Sequence, residues 1–279
     1  MTKNNNTTTF KPIDVEQVIT SKSKQLAKVI PGFIIRYLKR IIHQDEINEF
    51  LSKNHQKQGI EFADSLLKEM DITYKIIGEE NLPKDGKFIL ASNHPLGGPD
   101  GIILISIMGK FYKNIKFLVN DILMNLKNLE SVFVPINKHG GQAREAARII
   151  EQAYQSEDQI LIFPAGLVSR KQKGKIEDLE WKKSFITKAI KHKRDIIPIH
   201  IDGRNSNFFY NLANIRKFFK IKSNLEMLYL PNELFKQRGK KFTIRIGKPI
   251  SYQTFDKSLT YEQWALKVKN TTYALEKEL

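Results

Sequence analysis

The sequence contains no cysteine. This absence excludes disulfide bonds, metal sites built from thiolates and a cysteine nucleophile. It is compatible with a reducing cytoplasm, where proteins rarely carry disulfides. Any nucleophilic or proton-transfer chemistry in this chain must therefore use other side chains.

Long hydrophobic runs are also missing. A helix that spans a bilayer needs roughly 20 consecutive apolar residues, and the run from Ile102 to Met108 is far too short. The N-terminal residues contain no apolar segment of the kind found in signal peptides. We therefore expect a chain that does not cross a membrane but that can lie on its surface.

Acidic residues are scarce relative to basic ones. The chain of 279 residues has 46 lysines and arginines against 30 aspartates and glutamates, which gives a formal net charge of +16. Such an excess favours contact with anionic lipid, nucleic acid or acidic proteins, although a generally lysine-rich proteome would produce it as well. With 41% hydrophobic residues, the chain can still bury a sizeable core.

The N-terminal part differs in pattern from the rest. Residues 1–11 are rich in Asn and Thr and are predicted to form a disordered tail, whereas residues 12–71 have the spacing of a helical region. Within that region, residues 33–42 predict a basic amphipathic helix, which can lie in a membrane interface or pack on the body of the protein. Its basic face carries Arg36, Lys39 and Arg40.

Residues 72–279 alternate between short apolar strands and amphipathic helices. This alternation predicts an α/β fold with a mostly parallel twisted sheet flanked by helices, and with the N-terminal helical segment docked on it. Residues 208–220 are predicted as a further helix with an apolar face and basic neighbours. The predicted strands are residues 73–77, 87–92, 115–119, 132–134, 159–163, 196–201, 225–230 and 242–246.

The turn at residues 91–101 carries the first chemical signal. An apolar strand leads into Ser-Asn-His-Pro-Leu-Gly-Gly-Pro-Asp-Gly, and an apolar helix follows. Strand-to-helix turns of this kind lie at the carboxyl edge of the sheet, where α/β proteins usually place their sites. A turn rich in Gly and Pro can bring Asp100 back against His94, so that the carboxylate orients an imidazole acting as a general base. A structural histidine is the alternative interpretation.

A second loop, residues 163–171, follows another apolar strand. Gly166 allows close approach of the backbone, and Ser169, Arg170 and Lys171 can supply donors to an anion. A basic surface turn is the alternative interpretation.

Together, the two motifs resemble those of the glycerolipid acyltransferase superfamily, which includes the lysophosphatidate acyltransferases. His94 and Asp100 match its first motif, and Phe-Pro-Ala-Gly at residues 163–166 is similar to its third. Residues 132–135 and 197–199 fall where the second and fourth motifs are expected. The resemblance covers roughly residues 70–250 and identifies residues 72–279 as the acyltransferase domain.

The sequence departs from the common superfamily pattern at three points. Five residues rather than four separate His94 from Asp100, Ala165 replaces the usual glutamate, and the arginine of the second motif is absent. The forms His-Pro-Leu-Gly-Gly-x-Asp-Gly and Phe-Pro-Ala-Gly-x-Val-Ser-Arg instead resemble the bacterial hemolysin-like or ornithine-lipid-type O-acyltransferases. That resemblance implies acylation of the hydroxyl of an N-(3-hydroxyacyl) amino acid or a related lyso-lipid in membrane lipid synthesis. A 1-acyl-glycerol-3-phosphate acyltransferase is the second candidate.

The resemblance also implies how the residues act. His94, oriented by Asp100, removes the proton of the acceptor hydroxyl while its oxygen attacks an acyl thioester of acyl carrier protein or coenzyme A. This thioester is a co-substrate, so no bound cofactor is expected, and a strongly basic enzyme suits an acidic carrier protein. None of the histidines makes a convincing metal set with a carboxylate at ligand spacing, so we expect no metal. The residues expected to bind substrate are Asn93, Gly97, Gly98, Gly166, Ser169, Arg170, Lys171, Asp202 and Arg204, with backbone N–H groups at 97–98 or 166 as oxyanion donors.

A non-enzymatic protein that binds membranes or nucleic acid through its charge is the alternative from another class. The sequence has no evident zinc finger, helix-turn-helix or RNA-binding sheet signature, so no nucleic-acid partner is expected. We expect a cytoplasmic enzyme peripherally associated with the anionic inner face of the membrane.

Overall fold

The computed structural model describes residues 12–136 and 142–277, so the predicted tail at residues 1–11 lies outside the described part of the chain. The described residues form a seven-stranded sheet and a separate two-stranded hairpin. The strands are β1 (Thr73–Ile77), β2 (Phe88–Ser92), β3 (Ile115–Val119), β4 (Phe133–Pro135), β5 (Gln159–Ile162), β6 (Arg170–Gln172), β7 (Lys175–Glu177), β8 (Asp195–Ile201) and β9 (Lys241–Ile246). The helices are α1 (Val15–Lys22), α2 (Lys24–Val29), α3 (Gly32–Ile42), α4 (Gln44–Asn54), α5 (Gly59–Glu69), α6 (Gly98–Phe111), α7 (Gln142–Gln155), α8 (Ser184–His192), α9 (Asn207–Phe218), α10 (Leu230–Phe235) and α11 (Tyr261–Ala274).

The large sheet has the strand order β1-β9-β8-β2-β5-β3-β4. Strands β8, β2, β5, β3 and β4 are mutually parallel, and β1 is parallel to β9. Only β8 and β9 pair in opposite directions within this sheet. The prediction of a mostly parallel α/β sheet is confirmed.

Strand β2 is buried on both faces, which explains its continuous apolar sequence. Phe88 and Leu90 belong to the core beneath α5 and α6. Ile89 and Ala91 point to the opposite face, into the core built with α8 and α11. The polar residues that follow β2 therefore begin at the centre of the sheet, between two packed layers.

Helix α6 is apolar on all sides because α5 covers its outer face. Phe62 of α5 lies in the same core as Ile103 of α6. The two helices approach so closely that a Cβ at Gly109 would lie 2.5 Å from the side chain of Ile60. The N-terminal helical segment is thus docked on the sheet domain, as predicted.

The prediction of a strand at residues 225–230 is wrong. Leu225–Tyr229 form a 3-10 turn that leads directly into α10. The reason is a tertiary contact: Glu226 is fully buried between Arg170 and Arg216, which leaves Leu225 and Leu228 on the exposed side.

None of the helices in the described part of the chain combines the length and the apolar character needed to cross a bilayer.

Candidate active site

Asn93, the first residue after β2, connects this strand to its neighbour. Its side-chain oxygen accepts a hydrogen bond from the N–H of Ile201 at 2.7 Å, and its amide nitrogen donates to the carbonyl of the same residue at 3.0 Å. The side chain is buried. Both ends of the amide are therefore used to hold the carboxyl ends of β2 and β8 together, which differs from the prediction that Asn93 contacts substrate.

The turn after Asn93 brings His94 and Asp100 into contact. The imidazole Nδ1 of His94 lies 2.9 Å from Oδ2 of Asp100. The same carboxylate oxygen accepts the N–H groups of Leu96 at 2.8 Å and Gly97 at 3.0 Å, so the carboxylate also shapes the turn. The predicted proximity of His94 and Asp100 is present in the fold.

The environments of the two partners differ. Asp100 is completely buried, whereas the side chain of His94 keeps 16% of its surface exposed. Burial raises the pKa of Asp100, and the hydrogen bonds from His94 and the backbone act in the opposite direction. The ring of His94 stacks on Phe163 of the second motif, with centroids 3.9 Å apart and an angle of 12°. The imidazole is thus fixed on one side by a carboxylate and on one face by an aromatic ring, while remaining accessible.

The glycines of the two loops have separate roles. Gly97 has φ +94°, a region that glycine tolerates, and its N–H is already donated to Asp100. Gly166 has φ +67°, and its N–H closes a turn onto the carbonyl of Phe163. Gly98 is exposed at the start of α6, where the first N–H groups of a helix have no intrahelical partner. Of the three predicted glycines, only Gly98 has an N–H that these contacts leave available to a substrate.

The structure directs Ser169 and Arg170 inward. The hydroxyl of Ser169 donates to the carboxylate of Asp178 at 2.6 Å. The guanidinium of Arg170 donates to Glu226 at 2.9 Å, and burial lowers its pKa while Glu226 opposes the change. These two residues therefore connect the second loop to the protein interior, in contrast to the predicted contact with a substrate headgroup. Lys171, the next residue along β6, remains partly exposed.

The loop after β8 lies against the first motif. A Cβ at Gly203 would lie 3.0 Å from the side chain of Leu96, and the amide of Asn205 donates to the carbonyl of Pro95 at 3.2 Å. Arg204, between them, is exposed. Asp202 instead forms an ion pair with Arg245 at 2.6 Å. The loop thus brings Arg204 beside the turn that carries His94, whereas Asp202 is engaged within the sheet edge.

Asp178 was not anticipated from the sequence. Its carboxylate is fully buried and accepts the backbone N–H of His94 at 3.1 Å and the indole N–H of Trp181 at 2.8 Å. The only sequence signal is an acidic residue shortly after the second motif, followed three positions later by a tryptophan. Asp178 nevertheless joins the two motif loops, because it accepts hydrogen bonds from both His94 and Ser169.

This arrangement is chemically suited to general-base catalysis. A carboxylate on Nδ1 holds the imidazole in the tautomer that presents an unprotonated Nε2, and it stabilises the imidazolium that forms after proton uptake. Among the described residues, no hydrogen-bond partner is found for Nε2 of His94. A hydroxyl group placed at that nitrogen can lose its proton there.

Comparisons with known proteins match nearly the whole chain. A family model described as an acyltransferase matches residues 17–279. The chain is 51% identical over 264 residues to a lyso-glycine lipid O-acyltransferase of Bacteroides thetaiotaomicron, covering 94% of this chain and 97% of that protein. It is 50% identical over 264 residues to the protein of the same description in Phocaeicola vulgatus, covering 94% and 95%.

Among solved structures, the chain is similar to a 1-acyl-sn-glycerophosphate acyltransferase from Thermotoga maritima. That likeness has 18% sequence identity and a TM-score of 0.45, and it covers 88% of this chain and 92% of the other.

The family match extends over far more than half of the chain, and two relatives share about half of its residues over almost their full length. The residues matched by the family model include both motif loops and the helices that precede them. The chain therefore belongs to this acyltransferase family, within the glycerolipid acyltransferase superfamily, and is an enzyme that transfers acyl groups.

Proposed function

We propose that this enzyme transfers a fatty acyl group from an acyl thioester to the hydroxyl of a lyso-glycine lipid, an N-(3-hydroxyacyl)glycine, in bacterial membrane lipid synthesis. The observation that carries the proposal is the His94–Asp100 pair, 2.9 Å apart, in a chain that is 51% identical to a lyso-glycine lipid O-acyltransferase.

The proposed reaction is a direct transfer with His94 as the general base. The acceptor hydroxyl gives its proton to Nε2 of His94 as its oxygen attacks the thioester carbonyl carbon. The tetrahedral intermediate then collapses, the carbon–sulfur bond breaks, and the proton on His94 passes to the leaving thiolate. Asp100 stabilises the imidazolium between these two steps because its buried carboxylate lies on Nδ1.

The oxyanion of the tetrahedral intermediate needs a hydrogen-bond donor close to His94. The N–H of Gly98 is the proposed donor, because it starts α6 four residues after His94. The N–H groups of Gly97 and Gly166 are engaged by Asp100 and Phe163. The positive end of the helix dipole of α6 adds to the stabilisation of negative charge at this point.

Arg204 is the proposed partner of the glycine carboxylate. It is exposed on the loop that packs against Pro95 and Leu96, and its guanidinium donates to the side-chain oxygen of Asn207 at 2.5 Å. Guanidinium groups bind carboxylates through two parallel hydrogen bonds. Ala165, which replaces the usual acidic residue of the third motif, is buried and supplies no polar group. This difference favours a carboxylate acceptor over the glycerol phosphate acceptor.

An acidic acyl carrier protein is the proposed source of the acyl group, with coenzyme A as the alternative. The support is the formal net charge of +16, which would steer an acidic partner towards the enzyme.

Exposed apolar residues of α3, α9 and the turn at residues 225–229, with basic residues beside them, support peripheral attachment to an anionic membrane. Tyr37 of α3 hydrogen-bonds to Tyr229 at 2.7 Å, and the ring of Tyr229 packs on Phe208 of α9 at 4.9 Å, so the three segments share one face. We call this face the apolar–basic surface. Its exposed apolar members are Phe33, Ile34, Tyr37, Phe208, Ile215, Phe218, Leu225 and Leu228.

Basic side chains surround that surface. Arg36 and Arg40 line an open groove of about 490 Å³ on α3 together with its apolar residues. Lys217 and Lys220 lie at the end of α9, next to Phe218, which is 80% exposed. An apolar face with a basic rim has the character of interfacial helices on anionic lipid. This position would deliver a lipid acceptor to the enzyme from the bilayer.

The proposed acceptor can be tested by offering purified enzyme an acyl carrier protein thioester with equal amounts of N-(3-hydroxyacyl)glycine and 1-acyl-glycerol-3-phosphate. The proposal predicts that the glycine lipid is acylated and that the phosphate lipid is largely left. A strong preference for the phosphate lipid would contradict the proposal and would favour the second candidate activity.

A further inference from the structure

We infer that Asp178 is a positioning residue for the acyl transfer, because its carboxylate fixes the main chain of His94 and joins the two motif loops. This inference rests on the proposed role of His94 as the base. The hydrogen bond between Asp178 and His94 is to the main chain and not to the imidazole ring, so Asp178 acts through His94.

The carboxylate of Asp178 accepts hydrogen bonds from three different segments. Its Oδ1 accepts the backbone N–H of His94 at 3.1 Å and the hydroxyl of Ser169 at 2.6 Å. Its Oδ2 accepts the indole N–H of Trp181 at 2.8 Å. With its side chain 0% exposed, the group is completely removed from water.

All three donors are neutral, and a buried carboxylate is costly unless it is fully hydrogen-bonded. An amide in the same place could accept from only one side, because its nitrogen would face a donor. The position therefore requires a carboxylate to satisfy His94, Ser169 and Trp181 at once.

The carboxylate completes a two-point attachment of His94 to the second loop. The backbone N–H of Ser169 donates to the carbonyl of His94 at 2.8 Å, while the backbone N–H of His94 donates to Asp178. The peptide groups on both sides of the His94 Cα are thereby held. The direction of its side chain, between Asp100 and the ring of Phe163, is set by this held backbone.

Helix α11 holds Asp178 itself in place. The backbone N–H of Asp178 donates to the hydroxyl of Tyr273 at 2.7 Å, and its carbonyl accepts from Nζ of Lys269 at 2.7 Å. The position of His94 therefore depends, through Asp178, on contacts with α11. This helix packs on the opposite face of the sheet from α6. Displacement of a catalytic group by about 1 Å can lower the rate by about 100-fold.

Four variants separate positioning from simple loss of stability. In Asp178→Asn, the amide nitrogen faces either the indole N–H of Trp181 or the N–H of His94 and the hydroxyl of Ser169. In both orientations a donor faces a donor. The double variant Asp178→Asn with Trp181→Phe removes the indole donor, so the amide oxygen can again accept from His94. Asp178→Glu keeps the charge but moves the acceptor, and Trp181→Phe alone is the matched control.

The measured quantities are kcat, KM for the acceptor, the thermal midpoint and the low-field proton resonance of the Nδ1–H of His94, assigned by its absence in His94→Gln. We expect Asp178→Asn and Asp178→Glu to lower kcat by about 100-fold with KM unchanged and with the resonance shifted or broadened. The double variant should regain most of kcat, and Trp181→Phe should keep kcat while lowering the thermal midpoint. If Asp178→Asn does not fold, Asp178→Glu and the double variant still show whether kcat and the resonance of His94 change.

A folded Asp178→Asn or Asp178→Glu enzyme with the kcat of the wild type would overturn the inference. A double variant that regains stability but not kcat would overturn it as well. His94→Ala, measured in the same assay, separates this result from failure of the proposed function: activity in His94→Ala refutes the base itself, whereas inactivity there with normal kcat in the Asp178 variants refutes only the positioning role.

Discussion

The two oxygens of Asp100 have unequal surroundings. Oδ2 accepts hydrogen bonds from His94, Leu96 and Gly97, whereas Oδ1 is buried without a hydrogen-bond partner among the described residues. An amide could therefore replace the carboxylate with its oxygen in the Oδ2 place and its nitrogen in the Oδ1 place. The hydrogen bonds that shape the turn would be kept and the negative charge would be lost, while the amide N–H groups in the Oδ1 place would be buried without an acceptor.

Asp100→Asn is accordingly expected to reduce kcat by about 10- to 100-fold, the loss associated with one hydrogen bond to a charged group. The reason is that the imidazolium formed on His94 loses its counter-charge. Steady-state acyl transfer measures this change, and a thermal melt shows whether the turn is intact. Unchanged kcat in a folded Asp100→Asn enzyme would show that this carboxylate does not assist the base.

Arg204 is the residue on which recognition of the acceptor depends in this account. Arg204→Ala should raise KM for N-(3-hydroxyacyl)glycine by about 10- to 100-fold, because a charge-assisted contact is lost. Arg238→Ala is the matched control, because it removes an exposed arginine elsewhere on the surface. An equal rise of KM in the two variants would point to overall charge and not to a specific carboxylate contact.

At the residue scale, the sequence permits the His94–Asp100 pairing to be predicted because both residues belong to one short turn. The roles of Asn93 and Ser169 could not be predicted in the same way. The amide of Asn93 is bound to Ile201, 108 positions along the chain, and the hydroxyl of Ser169 is bound to a carboxylate beyond the hairpin. A polar residue in a motif points to chemistry, but its direction depends on partners that only the fold brings close.

At the scale of elements, the second motif loop is tied to the turn at Leu225–Tyr229 by one buried carboxylate. Glu226 is fully buried and pairs with Arg170 of β6 and Arg216 of α9, both at 2.9 Å. The guanidinium of Arg170 also lies over the ring of Phe209, 5.4 Å from its centroid. The carboxylate of Glu226 therefore links β6, which belongs to the second motif loop, to α9 and the turn at Leu225–Tyr229, which carry the apolar–basic surface.

Glu226→Gln is expected to lower the free energy of unfolding by about 3–5 kcal/mol, because the buried guanidinium of Arg170 and the partly buried guanidinium of Arg216 lose their counter-charge. Urea denaturation measures this difference. The control is Glu49→Gln, which breaks an exposed pair with Lys53 and should change the free energy of unfolding far less. Similar small losses in both variants would show that the buried pairs do not hold the loop.

The same contact explains which elements were predictable. Residues 88–91 of β2 and 196–199 of β8 are apolar without interruption, so their burial in a parallel sheet follows from the sequence. The segment at residues 225–230 has the composition of a strand, but its only charged residue is the one that is buried. An apolar run cannot reveal that its leucines face outward when the deciding partners, Arg170 and Arg216, lie elsewhere in the chain.

At the scale of the whole molecule, exposed aromatic residues and basic residues lie together on the apolar–basic surface. The proposed acceptor is a lipid, so this face is expected to bind anionic vesicles. Phe218→Ser should weaken vesicle binding by about 10- to 100-fold, because burial of a phenylalanine in lipid contributes about 1.5–3 kcal/mol. Leu266→Ser is the control, since Leu266 is exposed on α11, outside the apolar–basic surface.

Co-sedimentation with vesicles that contain anionic lipid measures the difference at moderate salt. Equal binding of the two variants would contradict the assignment of this face to the membrane. Binding that requires neither anionic lipid nor Phe218 would contradict it as well.

The central claim is that His94 is the base that accepts the proton of the acceptor hydroxyl. The most direct measurement is the rate of acyl transfer from an acyl carrier protein thioester to N-(3-hydroxyacyl)glycine, with wild-type enzyme and with folded His94→Ala at the same concentration. The account predicts robust transfer by the wild type and a loss of about 100- to 10,000-fold in kcat for the variant, the range contributed by general-base catalysis. Full activity in folded His94→Ala would contradict the account.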